Sequence, residues 1–280
     1  MISAALNSAL RKRVLFVGET IHDVYHYGMM LQRSAKEPVL VLQYQETELF
    51  DGGVLAASSH ARDLCEYVEV ASWRSLRKER FLERSHVRKL FEVCYTGDVA
   101  SEPDISYGSY DLVCVLDYGH GMMTGEVIER ICRDAKFLAV NVQVNASNYG
   151  FNLATKYPGA DYLCMDELEA RLATQNQHGP IEDSLNALTD HGFAKIAVTL
   201  GKDGAVGFEN NVIYRAPAQT DKVVDTMGAG DAFFAITALV ADTLPMKQLL
   251  RLGNAAAALK TQIIGHRQPV TKEALLAALG

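Results

Sequence analysis

The run Leu112-Val-Cys-Val-Leu-Asp-Tyr-Gly-His-Gly-Met-Met-Thr-Gly-Glu-Val-Ile-Glu-Arg-Ile-Cys-Arg-Asp-Ala-Lys-Phe-Leu-Ala-Val-Asn-Val142 reads as one strand, helix, strand unit. Leu112 to Leu116 and Phe137 to Val142 are short, mostly apolar runs, as strands buried on both faces of a parallel sheet are. Between them, Gly125 to Asp134 carries apolar residues at helical spacing. The alternation continues with Tyr162 to Met165 as a strand, Glu167 to Ala173 and Ile181 to Thr189 as helices, and Lys195 to Leu200 as a strand. Ala205 to Phe208 and Val212 to Tyr214 form a hairpin around Asn210-Asn211, a pair that tolerates left-handed backbone. Helices at Ala229 to Ala241, Met246 to Thr261 and Thr271 to Leu279 follow. Upstream, Arg13 to Gly18 and Tyr67 to Ala71 are strands, Pro38 to Tyr44 is a strand suited to a small β lid, and Gly52-Gly53 opens a helix through about Cys65. From Trp73 to Lys89 neither period holds for long, and the stretch receives no assignment. This order predicts an α/β fold, a doubly wound and mostly parallel sheet with helices on both faces. No repeat or Pro/Ser-rich linker divides the chain, so residues 1–280 are expected to form one domain, with about 28–50 and 88–107 contributing to the lid.

The composition narrows the function. With 280 residues, 49% hydrophobic and 22% charged, disorder and fibrous architectures are excluded. No run of about eighteen apolar residues occurs, and the first basic residues follow the apolar ones, the reverse of a secretory leader. A cytoplasmic protein without membrane partners is expected. The net charge of -7 opposes a nucleic-acid partner. The five cysteines, Cys65, Cys94, Cys114, Cys132 and Cys164, lack C-x-x-C spacing and read as reduced thiols. The eight histidines, among them His22, His86 and His266, show no paired metal spacing.

The chemistry concentrates in Val223 to Val240. Gly228-Ala229-Gly230 opens an apolar helix, where unpaired backbone N–H groups and the positive end of the dipole converge. Glycines let a phosphoryl group approach closely, and Asp231 beside them can take a proton from an attacking hydroxyl. The plainer alternative is a glycine turn capped by Asp225 or Thr226, with Asp231 as an ordinary first-turn carboxylate. Asp166 and Glu169, one turn apart where a strand becomes a helix, face the same way, as a metal-organising pair or simply as acids favoured by the dipole. Glu167 competes for that register.

Asp225-Thr-Met-Gly-Ala-Gly-Asp-Ala-Phe233 resembles the D-T-x-G-A-G-D-x-F signature of the ribokinase-like (PfkB) carbohydrate kinases, with all seven specified positions matched. Thr199-Leu-Gly-Lys-Asp-Gly-Ala205 resembles that family's T-x-G-x-x-G nucleotide loop, and Asp166-Glu-Leu-Glu169 its N-x-x-E box with Asp for Asn. Val17 to Gly28 and Asp117-Tyr-Gly-His-Gly121 are most similar to the D-glycero-D-manno-heptose 7-phosphate kinases within it. The resemblance spans roughly residues 12 to 279, strong from Asp111 onward and weak between Val54 and Thr96.

The resemblance implies a ribokinase-like fold and ATP-dependent phosphorylation of a hydroxyl on a sugar or sugar phosphate, heptose 7-phosphate leading. Asp231 would be the general base and the Gly228, Ala229 and Gly230 backbone the anion hole. Thr199, Gly201 and Gly204 would line the ATP phosphates and ribose, with Asn254 near the base. Asp166 and Glu169 would hold Mg²⁺ through water. Some family members also hold a monovalent cation, for which Asp225 and Thr226 are the positions here. Asp23 would bind acceptor hydroxyls, Gly52 and Gly53 would leave room for the sugar, and Asp117, Gly119 and Gly121 would shape the crevice mouth. His120 stands where heptose kinases carry Lys.

The chain also departs from the pattern. Ala56 replaces the Asn that usually follows the glycine pair, Asn141-Val-Gln143 replaces Asp-Pro-Lys, and the segment between Ala71 and Leu90 is too short for a further helix and strand. A sheet that has lost an edge unit there exposes an edge for a homodimer or a partner domain. The basic run Arg74 to Lys89 is either a solvated face or the phosphate-binding side for a phosphorylated acceptor. Two other functions compete: a nucleotide-binding regulatory or partner protein with a degraded sugar site, and a nucleoside or vitamin kinase of the same superfamily. Heptose kinases are often fused to a nucleotidyltransferase, and no such domain fits within these residues.

Overall fold

A computed structural model describes every residue except 33, 35, 86 and 221, so His86 lies outside the described residues. The chain runs α1 (Ile2–Ala9), β1 (Arg13–Gly18), β2 (Thr20–Met30), β3 (Leu42–Gly53), α2 (Val54–Ser59), β4 (Tyr67–Ala71), β5 (Arg74–Glu83), β6 (Arg88–Val99), β7 (Leu112–Asp117), α3 (Gly125–Asp134) and β8 (Leu138–Val142). It continues through β9 (Ala160–Asp166), α4 (Glu167–Thr174), α5 (Ile181–His191), β10 (Phe193–Thr199), β11 (Ala205–Glu209), β12 (Val212–Ala216), α6 (Ala229–Ala238), α7 (Met246–Lys260) and α8 (Lys272–Leu279).

Eight strands form one sheet in the order β12-β11-β10-β9-β8-β7-β1-β4, parallel from β10 to β4, with the β11–β12 hairpin antiparallel at one edge. Pleating sends alternate side chains of β1 to opposite faces, and both faces are dry. Val14 and Phe16 join a core with α1, α2, α6, α7 and α8, whereas Leu15 and Val17 join a second core with α3, α4 and α5. Asn210 and Asn211 both take positive φ, 52° and 62°, as a two-residue hairpin turn requires.

A second sheet has the order β3-β2-β5-β6. The expected strand at Pro38 to Tyr44 begins instead at Leu42 and runs to Gly53, because it pairs antiparallel with β2 along that whole length. The expected helix after Gly52-Gly53 ends at Ser59, with turns carrying the chain on to Leu64. β2 and β5, absent from the sequence expectation, carry polar residues on their buried faces. Along β5, Leu76, Lys78, Arg80 and Leu82 are buried in alternation. Only residues 72 and 73 separate β4 from β5, so no further unit is added beside β4, which remains the edge of the large sheet.

All five cysteines are free, and Cys94 alone among them is exposed. Among the described residues, no helix is long and apolar enough to cross a membrane, and no three His, Cys, Asp or Glu side chains cluster as metal ligands.

Candidate active site

Gly228 takes the left-handed conformation, φ 72°, and turns the chain into α6. Ala229 N–H donates to Thr226 O at 3.3 Å, which removes it from the expected anion hole. Among the described residues, the N–H groups of Gly228, Gly230 and Asp231 have no partner in the protein. A Cβ at Gly230 would meet nothing within 4 Å, so this face of the turn is open to a ligand. Gly228 is not open in this way: a Cβ there would lie 2.8 Å from His266 Cε1.

Asp231 is 9% exposed. Its Oδ1 accepts from Gln143 Nε2 at 2.6 Å and from Tyr118 Oη at 3.3 Å. Burial raises its pKa above the ordinary Asp value, against His266, Gln143, Tyr118 and Lys260, which favour the charged form. A buried carboxylate of raised proton affinity suits a general base.

One cavity of about 230 Å³ is lined by Asp231, Gly228, Gly230, Asp166, Glu169, Thr199 and neighbours on β8 and β9. Asp166 and Glu169 form a reciprocal capping box at the start of α4. Glu169 Oε2 accepts from Asp166 N at 2.7 Å, and Oε1 from Val144 N at 2.9 Å. Asp166 Oδ1 accepts from Glu169 N at 2.8 Å. Burial, then Asp166, pushes Glu169 above the carboxylate range. Two acids with spare lone pairs at a cavity wall fit a magnesium ion held through its own waters, and burial penalises them without a cation.

Thr199 lies at the end of β10 and lines both this cavity and an open neighbouring one with Leu168, Arg171 and Gly201. Gly201 faces open space, whereas a Cβ at Gly204 would lie 2.1 Å from Ala216 O; Gly204 therefore lets β10 turn against the residues after β12. Asn254 Nδ2 donates to the carbonyls of Ala216 and Pro217, so its amide ties down that loop rather than waiting for a base.

The acceptor-side residues depart most from expectation. Asp23 is buried on β2, with Arg80 Nη1 of β5 on one oxygen and His266 Nε2 at 3.5 Å from the other. Burial opposes its charge, but His266 and Arg80 outweigh it and hold the pKa below the usual Asp value. Each oxygen therefore already faces a protein side chain. Gly52 and Gly53 make room for protein atoms: a Cβ would lie 2.4 Å from Asp23 Oδ2 at Gly52 and 2.3 Å from Glu19 O at Gly53.

His120 follows β7, its N–H donating to the fully buried Glu19 at 3.0 Å. Its Nε2 is buried without a partner, and burial, then Lys78 and Arg74, push the imidazole down to about 4. Among the described residues, Lys78, buried, and Arg74 Nε, also buried, have no side-chain partner either. Asp117 is spent on the protein, accepting from Tyr157 Oη at 2.8 Å and pairing with Lys156. Gly119 and Gly121 turn the chain there with φ 72° and 90°.

Sequence reasoning did not assign Tyr118, His266 or Lys260 to the site. Each reaches it from a different segment, and only Gln143 carried a signal, as a departure from the heptose kinase pattern.

The two-faced sheet with its accessory sheet is that of the ribokinase-like fold. Residues 121–273 match the model of the pfkB family carbohydrate kinases, and the chain belongs to that family. The bifunctional protein HldE of Wolinella succinogenes is 25% identical over 93% of this chain and 63% of its own length. The chain thus spans under two thirds of that relative. Ribokinase of Thermotoga maritima shares the fold with a TM-score of 0.74 at 15% identity, covering 96% of this chain and 99% of that one. Phosphofructokinase-2 of Escherichia coli, solved in complex with potassium, has a TM-score of 0.73 at 13% identity, covering 95% and 98%.

Proposed function

We propose that the protein transfers the γ-phosphoryl group of ATP to a hydroxyl of a phosphorylated sugar, with a heptose 7-phosphate as the leading acceptor. The observation that carries this reading is the shared cavity of Asp231, the open Gly230 turn, Asp166, Glu169 and Thr199. Asp231 takes the proton of the acceptor hydroxyl as that oxygen attacks the γ-phosphorus in line and the bond to the ADP oxygen breaks. The N–H groups of Gly228, Gly230 and Asp231 stabilise the charge on the transferred oxygens. Asp166 and Glu169 would hold a magnesium ion through its waters, and the ion would supply further neutralisation of phosphate charge.

A phosphate on the acceptor is favoured by the three donors without a protein partner. Lys78 and Arg74 on β5 bring positive charge beside His120, whose imidazole is pushed down to about 4 by burial and by these two residues. The resemblance to heptose 7-phosphate kinases and the HldE relative support the same acceptor class. The test is a panel of free sugars and their phosphates with ATP and magnesium, read as ADP release. Turnover with a sugar phosphate and none with the parent sugar is expected; equal turnover of the parent sugar would overturn the acceptor class.

A second reading, a nucleotide-binding protein with a degraded sugar site, is favoured by the closure of Asp23 between Arg80 and His266 and by Ala56. It expects ATP with magnesium to raise the melting temperature while no acceptor is turned over. A homodimer or partner domain is proposed on the exposed Leu49, Phe91 and Tyr95 of the second sheet, and size-exclusion chromatography with light scattering decides it.

The monovalent cation suggested by the family resemblance and by potassium-bound phosphofructokinase-2 would need backbone oxygens beside Asp225. Two such oxygens, those of Met227 and Gly265, already accept from Lys260.

A further inference from the structure

Lys260 closes α7 with no exposed surface. Its Nζ donates to Met227 O and Gly265 O, 2.7 Å each. These carbonyls belong to the turn before α6 and the loop after α7. Asp225 ties the same two segments, accepting from Met227 N at 3.0 Å on Oδ1 and from Gly265 N at 2.9 Å on Oδ2. Val224 and Asp225 also donate their N–H groups to Thr261 O. A buried lysine is thus set among carbonyl oxygens and between two carboxylates; burial, the larger influence, lowers its pKa below the ordinary Lys value, while Asp225 and Asp231 favour the ammonium.

The location gives the charge a task. A Cβ at Gly228 would lie 3.3 Å from Lys260 Cε, so the lysine stem passes directly behind the anion-binding turn. By holding the Met227 carbonyl, Lys260 fixes the peptide that leads into Gly228. Its charge adds to the helix dipole at the open N–H groups. A dehydrated potassium or sodium ion on the same oxygens would do the same two things. An ammonium group is likewise a compact monovalent charge, and it comes with three directed donors.

We propose that the Lys260 ammonium is a built-in monovalent cation, so that the phosphoryl-binding turn of this chain is organised without potassium or sodium. In most positions a lysine at the end of a helix interacts with its own last carbonyls. Here it reaches Met227, in a separate segment, and that contact is the one a free ion would otherwise make. The proposal rests on the kinase fold but not on the acceptor, and its test needs no acceptor.

The experiment compares melting temperature and affinity for the ATP analogue AMP-PNP with magnesium, in potassium, ammonium or tetramethylammonium chloride at equal ionic strength. Wild-type protein is expected to melt at the same temperature and bind AMP-PNP with the same affinity, within about twofold, in all three salts. Lys260→Ala opens the oxygens. It is expected to melt lower in tetramethylammonium and to recover on the order of 3 °C in potassium or ammonium, as linkage gives for an ion at roughly ten times its dissociation constant. A wild type that melts several degrees higher, or binds AMP-PNP several-fold more tightly, in potassium than in tetramethylammonium would overturn the proposal. So would a Lys260→Ala protein equally unstable in all three salts.

Discussion

Gln143, just past the end of β8, donates its side-chain amide to Oδ1 of Asp231 across 2.6 Å, and so holds the proposed base from outside its own helix. The bond favours the ionised acid against burial, which raises its pKa. Activity carried by Asp231 falls as pH drops through that raised pKa. Gln143→Leu removes a bond that lowers it, so the acid limb of kcat/KM should move upward by about one pH unit, the worth of one hydrogen bond to a charged group. A pH–rate profile of the variant checks this; an unmoved limb separates Gln143 from the base.

Lys78 is buried on the inward face of β5, and no ion pair to it is formed among the described residues. If it meets the acceptor phosphate, Lys78→Met should raise KM for that acceptor by about 10- to 100-fold, as loss of a charged hydrogen bond does, with ATP affinity nearly unchanged. Steady-state kinetics with each substrate varied in turn makes the comparison. A loss in both substrates alike would point to a folding defect instead.

Arg80 lies between Asp23 and Glu92, the latter 2.7 Å from its Nε. Arg80→Ala strands Asp23 as a buried charge and should cost about 3–5 kcal/mol in urea unfolding. Asp23→Asn with Arg80→Met should recover a large part of that loss. If the double variant is no more stable than the single one, the Asp23–Arg80 pair is not what the site depends on.

His60 accepts the Val270 N–H on Nδ1 at 2.9 Å, and burial, then Lys260 and His266, push it down to about 3. Its folded pKa lies below the unfolded value near 6.5, so the unfolded chain binds the extra proton. The stability it contributes is complete above about pH 6.5 and is lost as pH falls toward 3, reaching ~2 kcal/mol by about pH 5. Urea midpoints across this range should slope for wild type and flatten for His60→Asn, which keeps an acceptor without the titration.

The elements that were legible in the sequence are those whose burial is apolar. α3 and β1 fall on their expected bounds, because each is set by residues that must leave water, and Asn210-Asn211 turns where a left-handed pair is needed. β2 and β5 were not legible, since their inward residues include Asp23, Lys78 and Arg80, and charge facing a crevice reads locally like a loop. The Gly-Ala-Gly turn and Asp231 stand out because four special residues fall together in sequence. Lys260 does not: a lysine in the last turn of a helix already suits the dipole, and its decisive contact is with Met227, far away along the chain. Asp23 was visible as an acid after the first strand, yet the Arg80 and His266 that close it come from β5 and the loop after α7, which no local pattern connects.

Asp231→Asn, assayed with the acceptor that the sugar-phosphate panel identifies, tests the kinase mechanism most directly. The variant should bind AMP-PNP with magnesium within a few-fold of wild type and transfer the phosphoryl group on the order of a hundredfold more slowly, the usual contribution of a general base. A variant that turns over at the wild-type rate would contradict the account.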